Sequence, residues 1–368
     1  MKQIKSLILG SVLFVIIGFR LYYFLTIPRP FKEGDVIRIT AGVTNEPLRY
    51  ETKQYLKLEG LKIYLPLYPE INYGDKITVT GKVEKDKLGS PKLVSIREND
   101  NFGLVVRQKI IDNYKKALPK PHSSLVSGMV LGSKSNIPQE FWSNLKSTGT
   151  AHVVVASGMN ISLVANFLIA FLTLFWKRRK ALIITIIGIW IYAFITGFDA
   201  PIIRASVMGT IAFLAQYLGR NSEAIRALLI SALIMLIINP GFFWDLGFLL
   251  SFFATLSLVL FEPRVKKIVS RIRSLQGSDP VTKTIVNDLS TSLSAQIGVA
   301  PLLYYYFGQF NILSPLINVL ILWTVVPITI IGMIGGVVGL IFEPLGRLVI
   351  YLVYPLTSWF IWIVTIFG

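Results

Sequence analysis

Apolar runs near the ~20 residues needed to cross a hydrocarbon layer recur along this chain, separated by short polar punctuation. They fall at Ile4–Leu25, 151–175, 181–198, 201–218, 225–238, 242–260 and 286–306, and apolar material continues from Ile312 to the end. The pattern predicts a polytopic α-helical membrane protein. The stretch Ile312–Phe342 is too long for one span and contains Pro327, so a broken or re-entrant pair is expected there.

Between the first run and the others the period changes from helical to alternating. Short segments at Val36–Val43, Tyr50–Leu58, Lys62–Leu65, Ile77–Val83 and Lys92–Arg97 are divided by turn residues, among them Asn45-Glu46-Pro47, Glu59-Gly60, Tyr73-Gly74-Asp75 and Leu88-Gly89-Ser90-Pro91. Five such strands predict a small all-β domain of the OB type, a Greek-key barrel, inserted after the first transmembrane helix. From Asn101 the helical period returns: Phe102, Val106, Ile110, Tyr114 and Ala117 share one face, with Arg107, Lys109, Lys115 and Lys116 supplying charge. That is the pattern of a basic amphipathic helix lying in a membrane interface. The expected organisation is therefore a first span at 1–27, an OB-like domain at 30–98, interfacial helices at 99–148 and a multi-span region at 149–368.

Composition agrees with the pattern. Of 368 residues, 53% are hydrophobic and only 15% charged. There is no cysteine, and two histidines are too few for a histidine-based zinc site. No P-loop and no G-x-S-x-G sequence occurs, so neither a cofactor nor a catalytic role is expected. The net charge of +17 is partly the excess of Lys and Arg in cytoplasmic loops. Lys177–Lys180, Arg220 with Arg226, and Arg264, Lys266, Lys267, Arg271, Arg273 and Lys283 mark three such loops, whereas Gly197–Pro201 and Asn239–Gly241 carry no Lys or Arg. The alternation places the N-terminus in the cytoplasm and the β domain outside a plasma membrane.

The polar residues inside apolar runs are the candidates for chemistry, because unpartnered polar groups are costly in hydrocarbon. Gly149, His152, Ala156, Asn160 and Asn166 are expected on one helical face, with Ser157 beside it. Such a face lines a path or forms a tight helix–helix seam. Arg204 follows Asp199 by five residues and pairs either with that acid or with a phosphate. Ser251 shares a face with Thr255, and Asp288, Ser292 and Gln296 form a polar stripe. In the β domain, Arg38, Arg49, Lys53, Lys57 and Lys62 interleave with Tyr50, Tyr55 and Tyr64. Aromatic platforms among cations suit single-stranded nucleic acid, and a solvated barrel face has the same composition.

Several motifs in order carry a resemblance: Gly149-Thr150-Ala151-His152, Ala156-Ser157-Gly158, Arg204-Ala205 with Met208, Leu218-Gly219-Arg220, Asn239-Pro240, Gly247-Phe248-Leu249-Leu250-Ser251-Phe252, then Pro301, Phe307-Gly308-Gln309-Phe310 and Asn318. With the order of domains, the chain resembles the ComEC family over nearly its whole length. The resemblance implies a membrane channel that brings one strand of transforming DNA into the cytoplasm during natural competence. It implies an outer DNA receptor and a cytoplasmic ATP-driven helicase-like protein as partners, besides single-stranded DNA and the lipid bilayer. Where the family often has SGLH, this chain has Ser157-Gly158-Met159-Asn160, keeping a polar residue without the imidazole. Many members also end in a metallo-β-lactamase-like nuclease domain; with the sequence ending at Gly368, a form lacking it is expected, and a separate nuclease becomes a candidate partner. On these readings the path would be built by His152, Ser157, Asn160, Arg204, Ser251 and Gln296. The alternatives are a small-solute transporter and a membrane-tethered OB-domain binding module.

Overall fold

A computed structural model describes residues 18–20, 22, 26, 31–44, 46–49, 52–97, 101–135, 137–154, 157–271, 280–307, 311 and 313–368. The expected first span Ile4–Leu25 lies mostly outside the described residues, as do Tyr50, Ala156, Arg273 and Gly308–Phe310. The strands are β1 (Val36–Gly42), β2 (Leu48–Arg49), β3 (Lys53–Leu58), β4 (Leu61–Pro66), β5 (Lys76–Glu84) and β6 (Lys87–Arg97). The helices that follow are α1 (Phe102–Ala117), α2 (His122–Leu131), α3 (Gln139–Ser147), α4 (Gly158–Leu172), α5 (Arg178–Thr196), α6 (Ala200–Tyr217), α7 (Ala224–Ile238), α8 (Leu246–Val269), α9 (Pro280–Phe307), α10 (Ser314–Ile341), α11 (Glu343–Tyr351) and α12 (Tyr354–Phe367). The chain is thus mostly helical with an N-terminal β-sheet domain. It folds as two compact units, one built mainly from residues 157–323 and the other from residues 29–147 with 324–368.

In the second unit the six strands form one sheet in the order β1-β5-β6-β4-β3-β2. Pairing is antiparallel except between β4 and β6. Alternation decides the faces. Leu56 and Leu58 of β3 and Leu61, Ile63 and Leu65 of β4 are buried with Ile39, Ile77, Val79 and Leu88. The β3–β4 turn is Glu59-Gly60, both at positive φ (48° and 84°), which a two-residue hairpin loop requires. The predicted strand Tyr50–Leu58 appears as β3 from Lys53, and a further two-residue strand, β2, precedes it, giving six strands instead of five. Leu88–Pro91, expected as a turn, lies within β6. Register shifts against β5 and a positive φ at Ser90 absorb the irregularity while Leu88 stays in the core.

Gln54 is a polar residue at an inward position of β3, fully buried. Its Nε2 donates to the carbonyls of Pro66 (2.8 Å) and Pro69 (2.7 Å), and its Oε1 accepts from Ile71 N (3.0 Å). These bonds hold the β4–β5 connection onto the core. Replacing the amide takes the partner from one buried and two partly buried backbone groups, so Gln54→Leu is expected to lower stability by about 2 kcal/mol. A thermal unfolding curve matching that of the wild type would refute this role.

Helix α1 is amphipathic as the spacing predicts, but its inner face is covered by protein. Arg107, Ile110, Ile111, Asn113 and Tyr114 are buried, and Tyr114 OH donates to the carbonyl of Gly332 in the C-terminal half of α10 (2.8 Å). Of the predicted apolar face, Ile110 and Tyr114 are buried and Phe102 is 80% exposed, while Lys109, Lys115 and Lys116 remain exposed.

In the first unit α4 to α9 follow one another along the chain. Three described helices are long and apolar enough to cross a membrane: Arg178–Thr196, Leu246–Val269 and Ser314–Ile341. The bent pair α11 and α12, at 45°, adds a fourth if counted as one span. Pro327 does not break α10, contrary to expectation: the helix runs unbroken for 28 residues. Within an apolar bundle the one lost backbone bond is tolerated, and the bend falls later, at Leu352–Val353.

Candidate functional site

Three helix beginnings meet around one side chain in the first unit. Helix α5 ends with Gly197 in the left-handed conformation (φ 95°), Phe198 follows at φ 57°, and Pro201 opens α6. Arg204 therefore points into the bundle from the first turns of α6. It is 7% exposed. Its Nε donates to Ser251 Oγ on α8 (2.7 Å) and its Nη1 to the sulfur of Met208 (3.2 Å). A side-chain Cβ placed on Gly158, the first residue of α4, would lie 3.3 Å from Nη2 and 3.2 Å from the Ala205 Cβ. Gly247, at the start of α8, would bring a Cβ to 3.7 Å from Pro201 Cδ. The first turns of α4, α6 and α8 thus converge; acidic residues, Asp199 and Asp245, stand at the starts of α6 and α8 and offset their backbone dipoles, whereas α4 starts at Ser157 without a side-chain cap.

Among the described residues Arg204 makes no ion pair, and the expected partner Asp199 instead stands at the start of α6. Asp245 caps α8, accepting from Phe248 N (2.7 Å). The sequence-predicted residues Ser157, Arg204 and Ser251 are therefore brought to one place. Gly158, passed over as a site residue, belongs with them; only its position beside Ser157 in a polar motif signalled it.

The other path candidates are placed differently. The single helical face through Gly149, His152, Asn160 and Asn166 does not form. Gly149 takes a positive φ (71°), residues 151–153 make a turn, and α4 begins only at Gly158. His152 is exposed in the second unit, Asn160 is buried in α4, and Asn166 is exposed. Residues 160 and 166 are six apart, which turns them to different sides of a helix. Gln296 is half-buried on α9 and has no hydrogen bond to Arg204. Helices α8 and α9 pack closely there, with Ser257 Oγ donating to the Ser294 carbonyl (2.6 Å) and Gly298 against the Phe253 carbonyl.

A second candidate surface lies on the β3–β4 hairpin. Opposite its buried residues, Lys53, Tyr55 and Lys57 of β3 and Lys62 and Tyr64 of β4 share the outer face. Tyr55 and Tyr64 are cross-strand partners with ring centroids 5.2 Å apart, and Lys57 opposes Lys62. Lys62 is paired with Asp86 (2.8 Å), whose hydrogen bond and charge raise its pKa. Arg38 is exposed on β1. Arg49, expected among the contacting cations, is instead tied to Glu70 (3.1 Å) and Asn72 (3.2 Å), where it holds β2 to the turn before β5.

A mostly helical chain with a buried cation in one unit and a small β-sheet domain in the other defines the class; similarity to known proteins gives the family. The model of the Competence protein family matches residues 129–368, and the chain belongs to that family. It is 27% identical over 267 residues to ComE operon protein 3 of Bacillus subtilis (strain 168), an alignment that covers 71% of this chain and 33% of that protein. It is 26% identical over 239 residues to an uncharacterized protein of Aquifex aeolicus (strain VF5), covering 64% of this chain and 52% of that one. The chain therefore spans between a third and about half of the length of these curated relatives. No solved structure matches it.

Proposed function

We propose that this chain is a multi-span plasma-membrane protein that passes single-stranded DNA into the cytoplasm during natural competence. The carrying observation is Arg204, a buried guanidinium with no acidic partner among the described residues, at the meeting point of three helix beginnings. A buried cation without a counter-ion is expensive, and a passing phosphate would supply the missing charge. Family membership supports competence as the setting.

The β domain is then an outer OB-type module. Its order β1-β5-β6-β4-β3, with β4 and β6 parallel, supports that reading, and the Lys–Tyr face of the β3–β4 hairpin supplies cations and stacking rings for a strand. The exposed bases Lys177–Lys180, Arg264, Lys266 and Lys267 support a cytoplasmic side at the ends of α4 and α8 and so an outer position for Arg204. An outer DNA receptor, an ATP-driven helicase-like protein inside and a separate nuclease complete the proposed machinery.

The test is uptake of fluorescent DNA into cells lacking the gene, complemented with wild type or with Arg204→Gln. Wild type is expected to restore uptake, and Arg204→Gln to restore at most a tenth of it at equal membrane abundance. Full uptake without the gene would overturn the proposal and favour a small-solute transporter.

A further inference from the structure

The turn between α4 and α5 joins two surfaces of different chemistry. On one side Phe167, Phe171 and Phe175 recur at every fourth position, a spacing that keeps side chains on one side of a helix. Their rings form a ladder with centroids 6.2 and 5.3 Å apart, and Trp176 extends it at 6.5 Å. All four rings are exposed, Phe175 by 65%, so the ladder faces outward instead of into the first unit.

On the other side, Lys177, Arg178, Arg179 and Lys180 are exposed where α5 begins. The end of α6 lies against them. Arg178 Nη2 donates to Gln216 Oε1 (3.4 Å), and the Arg179 guanidinium stands 5.9 Å from the centre of the Tyr217 ring. Arg220 follows α6 directly and is exposed as well.

These charges have no acid close by in the chain. No Asp or Glu occurs between Glu140 and Asp199, or between Asp199 and Glu223. Glu223 pairs with Arg226 (3.1 Å). Among the described residues, none of the cations from Lys177 to Lys180 makes an ion pair, nor does Arg220. Clustered like charges of this kind raise the local potential and attract an anion.

An apolar ladder that ends in a cationic rim matches a ligand with an apolar tail and an anionic head. We infer that the α4–α5 turn and the end of α6 form a binding site for an anionic phospholipid, its headgroup phosphate at the rim and its acyl chains along the Phe ladder. Arg178 and Arg179 meet the phosphate as planar donors, each steadied by its neighbour on α6. Trp176 and Tyr217 stand at headgroup level, where amphipathic rings are favoured. A zwitterionic head brings its own cation and gains less from the rim. A nucleic-acid strand carries charge at every residue, but the ladder behind the rim is uncharged. The site presupposes the proposed membrane placement of the chain and is independent of DNA passage.

The experiment uses the full chain in nanodiscs of phosphatidylcholine containing either phosphatidylglycerol or phosphatidylcholine brominated in its acyl chains. Bromine quenches nearby indoles, and the difference with and without Trp176→Phe in each background isolates the signal of Trp176. In wild type, phosphatidylglycerol is expected to quench Trp176 at a roughly tenfold lower mole fraction than phosphatidylcholine, since basic side chains at the surface each favour acidic lipid several-fold. Arg178→Gln with Arg179→Gln should reduce the preference to about twofold or less. Both side chains are exposed, so the unfolding temperature should not change. Lys266→Gln with Lys267→Gln removes two charges from the end of α8 and should leave the preference intact.

Equal quenching by the two lipids in wild type overturns the site. So does an equal loss in both double variants, because the general surface potential then explains the preference. Reversal of the phosphatidylglycerol quenching by a single-stranded oligonucleotide overturns the lipid assignment in favour of nucleic acid. Alkaline carbonate washing of cell membranes separates the site from the reading beneath it. Release of the chain overturns its membrane placement, whereas a retained chain without lipid preference overturns the site alone.

Discussion

Glu46→Ala is expected to destabilise the second unit by about 3–5 kcal/mol, the range for removing one partner of a buried ion pair. Glu46 precedes β2, and its Oε1 lies 2.6 Å from Arg107 Nη2 on α1. Arg107 is 4% exposed, donates from Nη1 to the Leu131 carbonyl (2.6 Å), and lies with its guanidinium 5.4 Å from the centre of the Tyr73 ring. The other Glu46 oxygen accepts from the backbone N–H of Lys134 (2.5 Å) and Ser135 (3.1 Å). One carboxylate thus joins the sheet to α1 and to the loop after α2. Removing it takes the counter-charge from a buried cation and an acceptor from two backbone N–H groups. The pair is buried, so solvent screening does not reduce the effect much. Glu46→Gln keeps the shape and part of the bonding and should cost less, while Glu46→Leu with Arg107→Met removes both charges and should recover most of the loss. Thermal and denaturant unfolding of the full chain in detergent measures all three. A loss under about 1 kcal/mol for Glu46→Ala would show that the pair contributes little beyond its own desolvation. If the proposed function holds, DNA uptake should fall in Glu46→Ala, because the node holds the sheet that carries the Lys–Tyr face.

Gly346→Ala should cost about 2–3 kcal/mol, a sign opposite to the usual effect of alanine in a helix. At Gly346 on α11, an added Cβ would lie 2.3 Å from the Cα and 2.5 Å from the N of Gly339, on α10. Those are backbone atoms that cannot rotate away, so the two helices must separate. Overpacking of this kind costs up to ~3 kcal/mol and sometimes more. Helix propensity returns only ~1 kcal/mol. Separation would also disturb the contacts of α10 with α1, where a Cβ on Gly336 would meet the Tyr114 hydroxyl at 2.8 Å. Gly209 is the control. A Cβ there meets Ile189 at an ordinary 3.4 Å, so Gly209→Ala should be neutral or slightly stabilising. Equal unfolding temperatures for Gly346→Ala and wild type would refute the close crossing.

The local pattern carried much of the architecture. Apolar length announced most of the helices from α4 onward, alternation placed Leu56, Leu58, Leu61, Ile63 and Leu65 on one buried face, and Glu59-Gly60 marked its hairpin. Motif order carried the family. These features depend on residues a few positions apart, where backbone geometry and burial act directly. They fail where a left-handed residue interrupts a period: the run through His152 reads as helix, yet Gly149 turns the chain and the helical face is lost. Pro327 misled in the other direction, because packing in an apolar bundle tolerates a missing backbone bond.

The chemistry of single charges was decided by tertiary structure. Arg107 looks like one more cation on an amphipathic helix, until folding brings Glu46, 61 residues earlier in the chain, against it. Arg49 reads as a surface cation and becomes the partner of Glu70. Arg204 and Asp199 are neighbours in sequence, but the guanidinium turns toward Ser251, 47 residues away, and toward Gly158. A hydropathy pattern determines that such a residue must be satisfied when buried; which distant group satisfies it, or leaves it open for a ligand, depends on how the helices cross.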